Sequence, residues 1–353
     1  MRMTKTGNIK KQRYEAEDQG YDKGTTQDEL LNNQISEWLK DPDSMGVFDP
    51  AEMLVTRIDD TDKGKIKKNA GYDTKPDMAI TLVGQRKTGK TVAVISMLKA
   101  IMEIHKIYEI YVCTGTALNG TWQERLPKGA VFDLERFDEM MTKIKSNQIL
   151  KREMIKKGVW EEKYADRSPW ICLVMEDWIQ DRKLAKYNKT MDELFTLGRH
   201  YYIMVIAISQ TIIGSGKNQR LNSDWVGVLG CRDRGSIENV IHEHMGEIQS
   251  QNMARELINT VNNKRNYQIF MINKQPYTNG PSERYYRWVA DEVPEGEKIG
   301  HPKWIKEMEE AEDEAEDEWL METDIPMITS VDNPGGYIST SVADRFEHVL
   351  NFF

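Results

Sequence analysis

Eight residues constrain this chain more than any others. Gly84-Gln85-Arg86-Lys87-Thr88-Gly89-Lys90-Thr91 fits the phosphate-binding pattern G-x-x-x-x-G-K-[ST] at every specified position. The apolar run 78–83 before it reads as a buried strand, and 91–102 after it reads as a helix. Strand, glycine loop and helix in that order commit the chain to an α/β arrangement. Gly84 and Gly89 let the backbone curl, so that the N–H groups across Gln85, Arg86, Lys87 and Thr88 and the helix N-terminus face a polyphosphate. Lys90 then reaches the β- and γ-phosphates of ATP, and the Thr91 hydroxyl serves Mg²⁺.

Around that loop the chain has room for one large α/β domain with appendages, or two modest domains, in its 353 residues. The longest apolar run, 201–208, is far too short to cross a bilayer, and the N-terminus has no apolar leader, so an intracellular protein with no membrane span is expected. Cys113, Cys172 and Cys231 all fall in segments that read as buried strands, which predicts reduced core thiols rather than a disulfide framework. The formal charge of −9 is concentrated. Residues 307–318 hold nine acids and no base, so the rest of the chain sums to zero and a nucleic-acid partner for the folded part is compatible with the acidic total.

Three regions follow from the pattern. Residues 1–77 form a polar extension, disordered over 1–27, with one short helix near 28–39. Residues 78–292 alternate strand and helix. The expected strands are 78–83, 107–113, 131–134, 170–175, 201–208, 225–230, 268–272 and 285–290; the expected helices are 91–105, 137–157, 184–199 and 236–262. A turn at 278–281 separates the last two strands. Such alternation predicts right-handed βαβ units in a central, mostly parallel sheet flanked by helices. Residues 293–353 read as an acidic low-complexity tail. The basic residues Lys143, Lys145, Lys151, Arg152, Lys156 and Lys157 scatter around their helix and read as a solvated face, with a DNA-contacting surface as the other reading. Tyr285, Tyr286 and Trp288 read as core.

The chemistry needs carboxylates, and strand 170–175 ends in Glu176-Asp177. Ligands of open parallel sheets bind at the carboxyl ends of the strands, where one acid can hold Mg²⁺ and another can orient the attacking water. Two registers are open: Glu176 for the metal with Asp177 for the water, which is favoured, or Asp177 for the metal with the water held from elsewhere. The next strand ends in Ser209-Gln210, placing an amide beside the γ-phosphate as a sensor of nucleotide state. Arg199, just before that strand, falls at the opposite edge of the sheet. It is suited to act as an arginine finger toward a neighbouring subunit, with Arg220, Arg232 and Arg234 as rivals.

Taken together, the loop 84–91, the apolar strand with Glu176-Asp177, and Gly198-Arg199-His200 followed by a strand ending in Ser209-Gln210 resemble the FtsK/HerA superfamily. Within it the chain is most similar to the genome-packaging ATPases of nucleocytoplasmic large DNA viruses, virophages and related double-jelly-roll viruses, over residues 78–290. Asn222-Ser223-Asp224, with Arg232 after the next strand, shares the likeness. The resemblance implies a P-loop NTPase fold of RecA/FtsK type and a homo-oligomeric ring hydrolysing ATP with Mg²⁺. It further implies double-stranded DNA moved without sequence preference into a preformed capsid, with capsid or portal vertex proteins as partners, in host cytoplasm or nucleus or in the virion. The order Glu-Asp departs from the usual acidic pair. The alternatives are a nucleotide or metabolite kinase on the same loop and a nucleotide-dependent partitioning or structural ATPase.

Overall fold

A strand covered on both faces has no solvent side, so its sequence need not alternate. Several segments here obey that rule and form the middle of the molecule. In the computed structural model, which describes residues 27–54, 56–57, 74–105, 107–115, 120–164, 167–231, 233–264, 267–275 and 283–317, strand β1 (Ala79–Gly84) is buried along its length. Its neighbours in sequence are β2 (Glu109–Thr114), β3 (Val131–Phe132), β4 (Ile171–Glu176), β5 (Ile203–Ser209), β6 (Trp225–Leu229), β7 (Gln268–Asn273) and β8 (Tyr285–Val289). They form one eight-stranded sheet in the order β8-β7-β6-β1-β5-β4-β2-β3. From β6 to β3 every pairing is parallel. The pairings of β7 with β6 and β8 are antiparallel. The chain thus starts in the middle, winds out to one edge, returns through β4 and β5, and finishes on the other flank.

Helices α2 (Lys90–His105), α3 (Phe137–Lys156), α4 (Lys189–Leu197), α5 (Arg234–His244) and α6 (Gln251–Lys264) occur between the strands. The helix expected over 184–199 is broken: Asn188 accepts from the Met191 N–H at 2.9 Å and caps a new start for α4. The helix expected over 236–262 is likewise two, because the backbone leaves the helical region at Met245.

The polar extension and the tail both contribute to the core. Helix α1 (Gln27–Lys40) spaces Leu31, Ile35 and Trp38 as one apolar stripe, which joins Leu257 and Val261 of α6 in a single hydrophobic cluster. Residues 46–48 then run beside β8, where the Phe48 N–H donates to Arg287 O at 2.8 Å and the Arg287 N–H donates to Gly46 O at 2.9 Å. They cover an edge that would otherwise be open to pairing. Phe48 packs on Trp225 at 4.8 Å between centroids; burying such a ring stabilises the fold by about 2 kcal/mol. At the other end, α7 (Pro302–Asp317) buries Trp304 and Met308, four residues apart on one face. Glu307 accepts from the Tyr108 hydroxyl at 3.1 Å and pairs with Arg167 at 3.3 Å. The reading of an acidic tail from residue 293 is therefore corrected over 299–308, where the buried side chains of Ile299, Trp304 and Met308 outweigh the charged composition. Residues 1–26, the turn 278–281 and everything beyond 317 lie outside the described residues.

Of the basic residues on and just after α3, Lys151 alone is buried; the others keep the solvated placement that the sequence suggests. Lys143 pairs with Glu139, Lys156 with Glu153 and Lys145 with Glu193, while Lys151 is only 1% exposed and meets Glu109 at 2.5 Å. Burial pulls the Lys151 ammonium down, and Glu109 pushes it back up. Tyr285 and Trp288 are core residues, as their alternation predicts.

Candidate nucleotide-binding site

The loop 84–91 leaves the carboxyl end of β1, the most central position in the sheet, and enters α2 at Lys90. Two of its glycines are required by geometry. A Cβ on Gly84 would fall 2.3 Å from Leu229 O, so only glycine lets β1 run this close to the end of β6. Gly89 has φ +88°, and Lys87 is also left-handed at φ +61°. Alternation of handedness turns successive N–H groups toward one centre, the concavity that binds phosphate, above the N-terminus of a 16-residue helix. Thr88 Oγ1 donates to Gln85 O at 2.9 Å and braces the loop from within.

Lys90 Nζ folds back into this concavity, donating to Gly84 O at 2.8 Å and Gln85 O at 2.7 Å. Burial holds its pKa below the usual lysine range, and Asp177 and then Glu176 act in the opposite direction. Thr91 Oγ1 donates to Glu176 Oε1 at 2.6 Å. Glu176 is the last residue of β4, and Asp177 follows with φ +52°, a left-handed kink at the strand's end. Gln210, the first residue past β5, sends Nε2 toward Asp177 Oδ1 at 3.4 Å. Since β5 lies between β1 and β4, its polar tip sits between the loop and the acids.

Lys90, Thr91, Glu176, Asp177 and Gln210 are thus brought to one edge, as the sequence predicts. Arg199 is not among them. It lines a cavity of about 200 Å³ with Asp77, Asp224 and Lys274 at the opposite ends of the strands. That placement agrees with its expected position, and no ion pair ties it down among the described residues. Of the rivals, Arg220 pairs with Glu243 at 3.4 Å and Arg234 with Glu238 at 2.7 Å; Arg232 lies outside the described residues. Asn222-Ser223-Asp224 clamps β6 to the start of β1. Asp224 Oδ2 accepts from the Ala79 N–H at 2.7 Å, and Ser223 and Thr81 share a hydroxyl bond of 2.8 Å.

One contact was not legible in the sequence. Trp122, buried in the turn after β2, donates Nε1 to Glu176 Oε2 at 2.6 Å. Both oxygens of Glu176 are therefore fixed, one by Thr91 and one by the indole. No spacing rule links a tryptophan in a polar loop to an acid 54 residues later. The Cys231 thiol contacts Val83 O at 3.9 Å, and burial pushes it up to about 11.

Central β1, phosphate loop, an intervening strand with a polar tip and an outer strand with acids define a P-loop NTPase fold of RecA/FtsK type. No protein-family model matches this chain, and no curated protein matches it. Among solved structures it is similar to the genome packaging NTPase B204 from Sulfolobus turreted icosahedral virus 2 in complex with ATP-gammaS, at 15% identity over 63% of this chain and 99% of that one, with a TM-score of 0.39. It is also similar to EssC (ATPases 2 and 3) from Geobacillus thermodenitrificans, at 13% identity over 72% of this chain and 47% of that one, with a TM-score of 0.46. The cytoplasmic domain of the Thermomonospora curvata Type VII secretion ATPase EccC matches at 10% identity over 61% of this chain and 25% of that one, with a TM-score of 0.39. At such identities the functional reading rests on this chain's own residues.

Proposed function

We propose that this chain is an ATP-hydrolysing motor that drives double-stranded viral DNA into a preformed capsid. The observation that carries the hydrolytic part is the convergence of Lys90, the Thr91–Glu176 pair and the Asp177–Gln210 pair at one end of the sheet. The packaging part rests on the sequence resemblance, above all Gly198-Arg199-His200 spaced before Ser209-Gln210.

In this reading Thr91 and Glu176 hold Mg²⁺: a hydroxyl and a carboxylate 2.6 Å apart are the hard oxygen donors that ion takes. Mg²⁺ supplies neutralisation of the charge that builds on the transferring phosphoryl group. The loop amides seat the triphosphate, and Lys90 exchanges the Gly84 and Gln85 carbonyls for terminal phosphate oxygens. Asp177, free of Thr91, orients the attacking water, and Gln210 holds Asp177 and senses whether the γ-phosphate is present. Arg199 lies too far from its own loop to serve it, which favours a ring in which it faces a neighbour's nucleotide. DNA, gripped through its phosphates, is moved without regard to sequence, in the host cytoplasm or nucleus, next to the capsid or portal vertex.

Purified protein should therefore show Mg²⁺-dependent ATP hydrolysis that rises with double-stranded DNA of any sequence and weakens steeply with salt. Mixing in Arg199→Ala subunits should depress activity more than in proportion to their share. Absence of stimulation by any DNA at low salt would sink the motor reading; strictly proportional loss on mixing would remove Arg199 from a neighbour's site.

Trp122 orients the carboxylate that Thr91 shares. Trp122→Phe keeps an aromatic side chain, though a smaller one, and removes the donor. It should lower kcat about tenfold, the low end for a group that supports a metal ligand, with little change in nucleotide affinity. A rate indistinguishable from wild type in a phosphate-release assay would show that Thr91 alone suffices.

A further inference from the structure

Tyr267 combines three observations that the hydrolytic residues leave unused. Its backbone is left-handed, with φ +58°, a conformation that a bulky side chain adopts only when its surroundings impose it. It is a large aromatic residue left 39% exposed, immediately before a strand that is buried throughout. Its ring lies on the phosphate loop: a Cβ built on Gly89 would fall 2.2 Å from Tyr267 Cδ1 and 2.6 Å from Cε1.

The topology explains how it arrives there. Because β7 runs antiparallel to β6, with Val228 opposite Phe270, the residue before β7 comes level with the carboxyl ends of β6 and β1. Tyr267 is that residue. In the order β7-β6-β1-β5-β4, the acids of β4 stand on one flank of the loop and Tyr267 on the other. A nucleoside triphosphate is a polar object with two ends. With its terminal phosphate turned toward Glu176 and Asp177, its ribose and base must leave on the flank of β6 and β7.

From this we infer that Tyr267 forms the base subsite of the loop, stacking its ring on the nucleobase. The inference rests on the nucleotide reading of residues 84–91 and goes beyond it by placing the base. Stacking recognises the π-face that every base offers, so the subsite takes nucleoside triphosphates with modest selectivity and favours the larger purines. It also gives Gly89 a second reason to lack a side chain, since any Cβ would displace the ring. Among the described residues no hydrogen bond engages the Tyr267 hydroxyl, so the ring alone carries the role.

The test is calorimetric titration of the full chain with ATP and, separately, with inorganic tripolyphosphate, which has the charge but no base. Tyr267→Ala should weaken ATP roughly 10- to 100-fold, the range for loss of one aromatic–base stack, and leave tripolyphosphate within about twofold. Tyr267→Phe should bind both as wild type does. Unchanged ATP affinity in Tyr267→Ala would overturn the inference, as would an equal loss for both ligands, which would make Tyr267 a support of the loop rather than a contact to the base. If wild-type protein binds neither ligand, the nucleotide reading of the loop itself fails.

Discussion

Replacing Lys90 with alanine should lower the rate of ATP hydrolysis by about three orders of magnitude, the scale on which preorganised charges act on a developing transition state. Among the described residues Lys90 is the cation whose Nζ already lies inside the concavity, 2.8 Å and 2.7 Å from Gly84 O and Gln85 O. Its partial desolvation means that little water need be stripped when phosphate oxygens replace those carbonyls. Arginine should not rescue the loss. A planar guanidinium is too large for the curl of the loop and presents a fork where a compact ammonium is needed. Folding should suffer far less, because the two bonds lost go to carbonyls of a partly exposed loop, together about 1–3 kcal/mol. Phosphate release and thermal melting, measured on the same preparation, separate the two effects. A Lys90→Ala rate within about tenfold of wild type would remove this lysine from the transition state, against the magnitude expected for such a charge.

Lys151→Met should destabilise the fold by about 3–5 kcal/mol, because removing one member of a buried pair strands the other. Lys151 is 1% exposed and Glu109 13%, so the carboxylate left behind has little access to water. Tyr111 donates to the far oxygen of Glu109 at 3.0 Å, and that single bond is a poor substitute for a cation. Changing Glu109→Gln at the same time should recover most of the loss, since the amide oxygen can still accept from Tyr111 and no charge remains buried. Urea denaturation of the two single variants and the double variant gives the coupling directly. A loss below about 1 kcal/mol for Lys151→Met would mean that water reaches Glu109 and the pair is effectively a surface one.

The eight strands and the five candidate site residues at the loop edge were legible because each rests on a short-range rule: a run of apolar residues for β1, β4 and β5, and fixed spacing for residues 84–91. What escaped depends on long-range contacts. Trp304 and Met308 anchor a helix whose composition is dominated by acids, and two buried side chains decide its place where a count of charges does not. Lys151 looks like its neighbours in sequence, and only the arrival of Glu109 from β2 sets it apart. Asn188 and Met245 interrupt helices within otherwise helical patterns, the first through a side-chain cap. Trp122 reaches Glu176 from a turn 54 residues before it, and Tyr267 reaches the loop from 178 residues after Gly89, separations that no local pattern encodes.

Helix α2 starts at Lys90 beneath the loop and ends at His105, whose Nε2 donates to Ala51 O at 2.8 Å in the N-terminal layer. Its sixteen residues make a rod about 24 Å long, gripped along its middle by Ala93, Val94, Met97, Leu98 and Ile101, all fully buried. A rod held this way tilts as one piece. A tilt of roughly five degrees about that grip would carry the far end, beside residues 50–54, by about 1 Å. One helix thus joins the start of the phosphate loop's anchor to the carbonyl of Ala51 on the far side of the sheet.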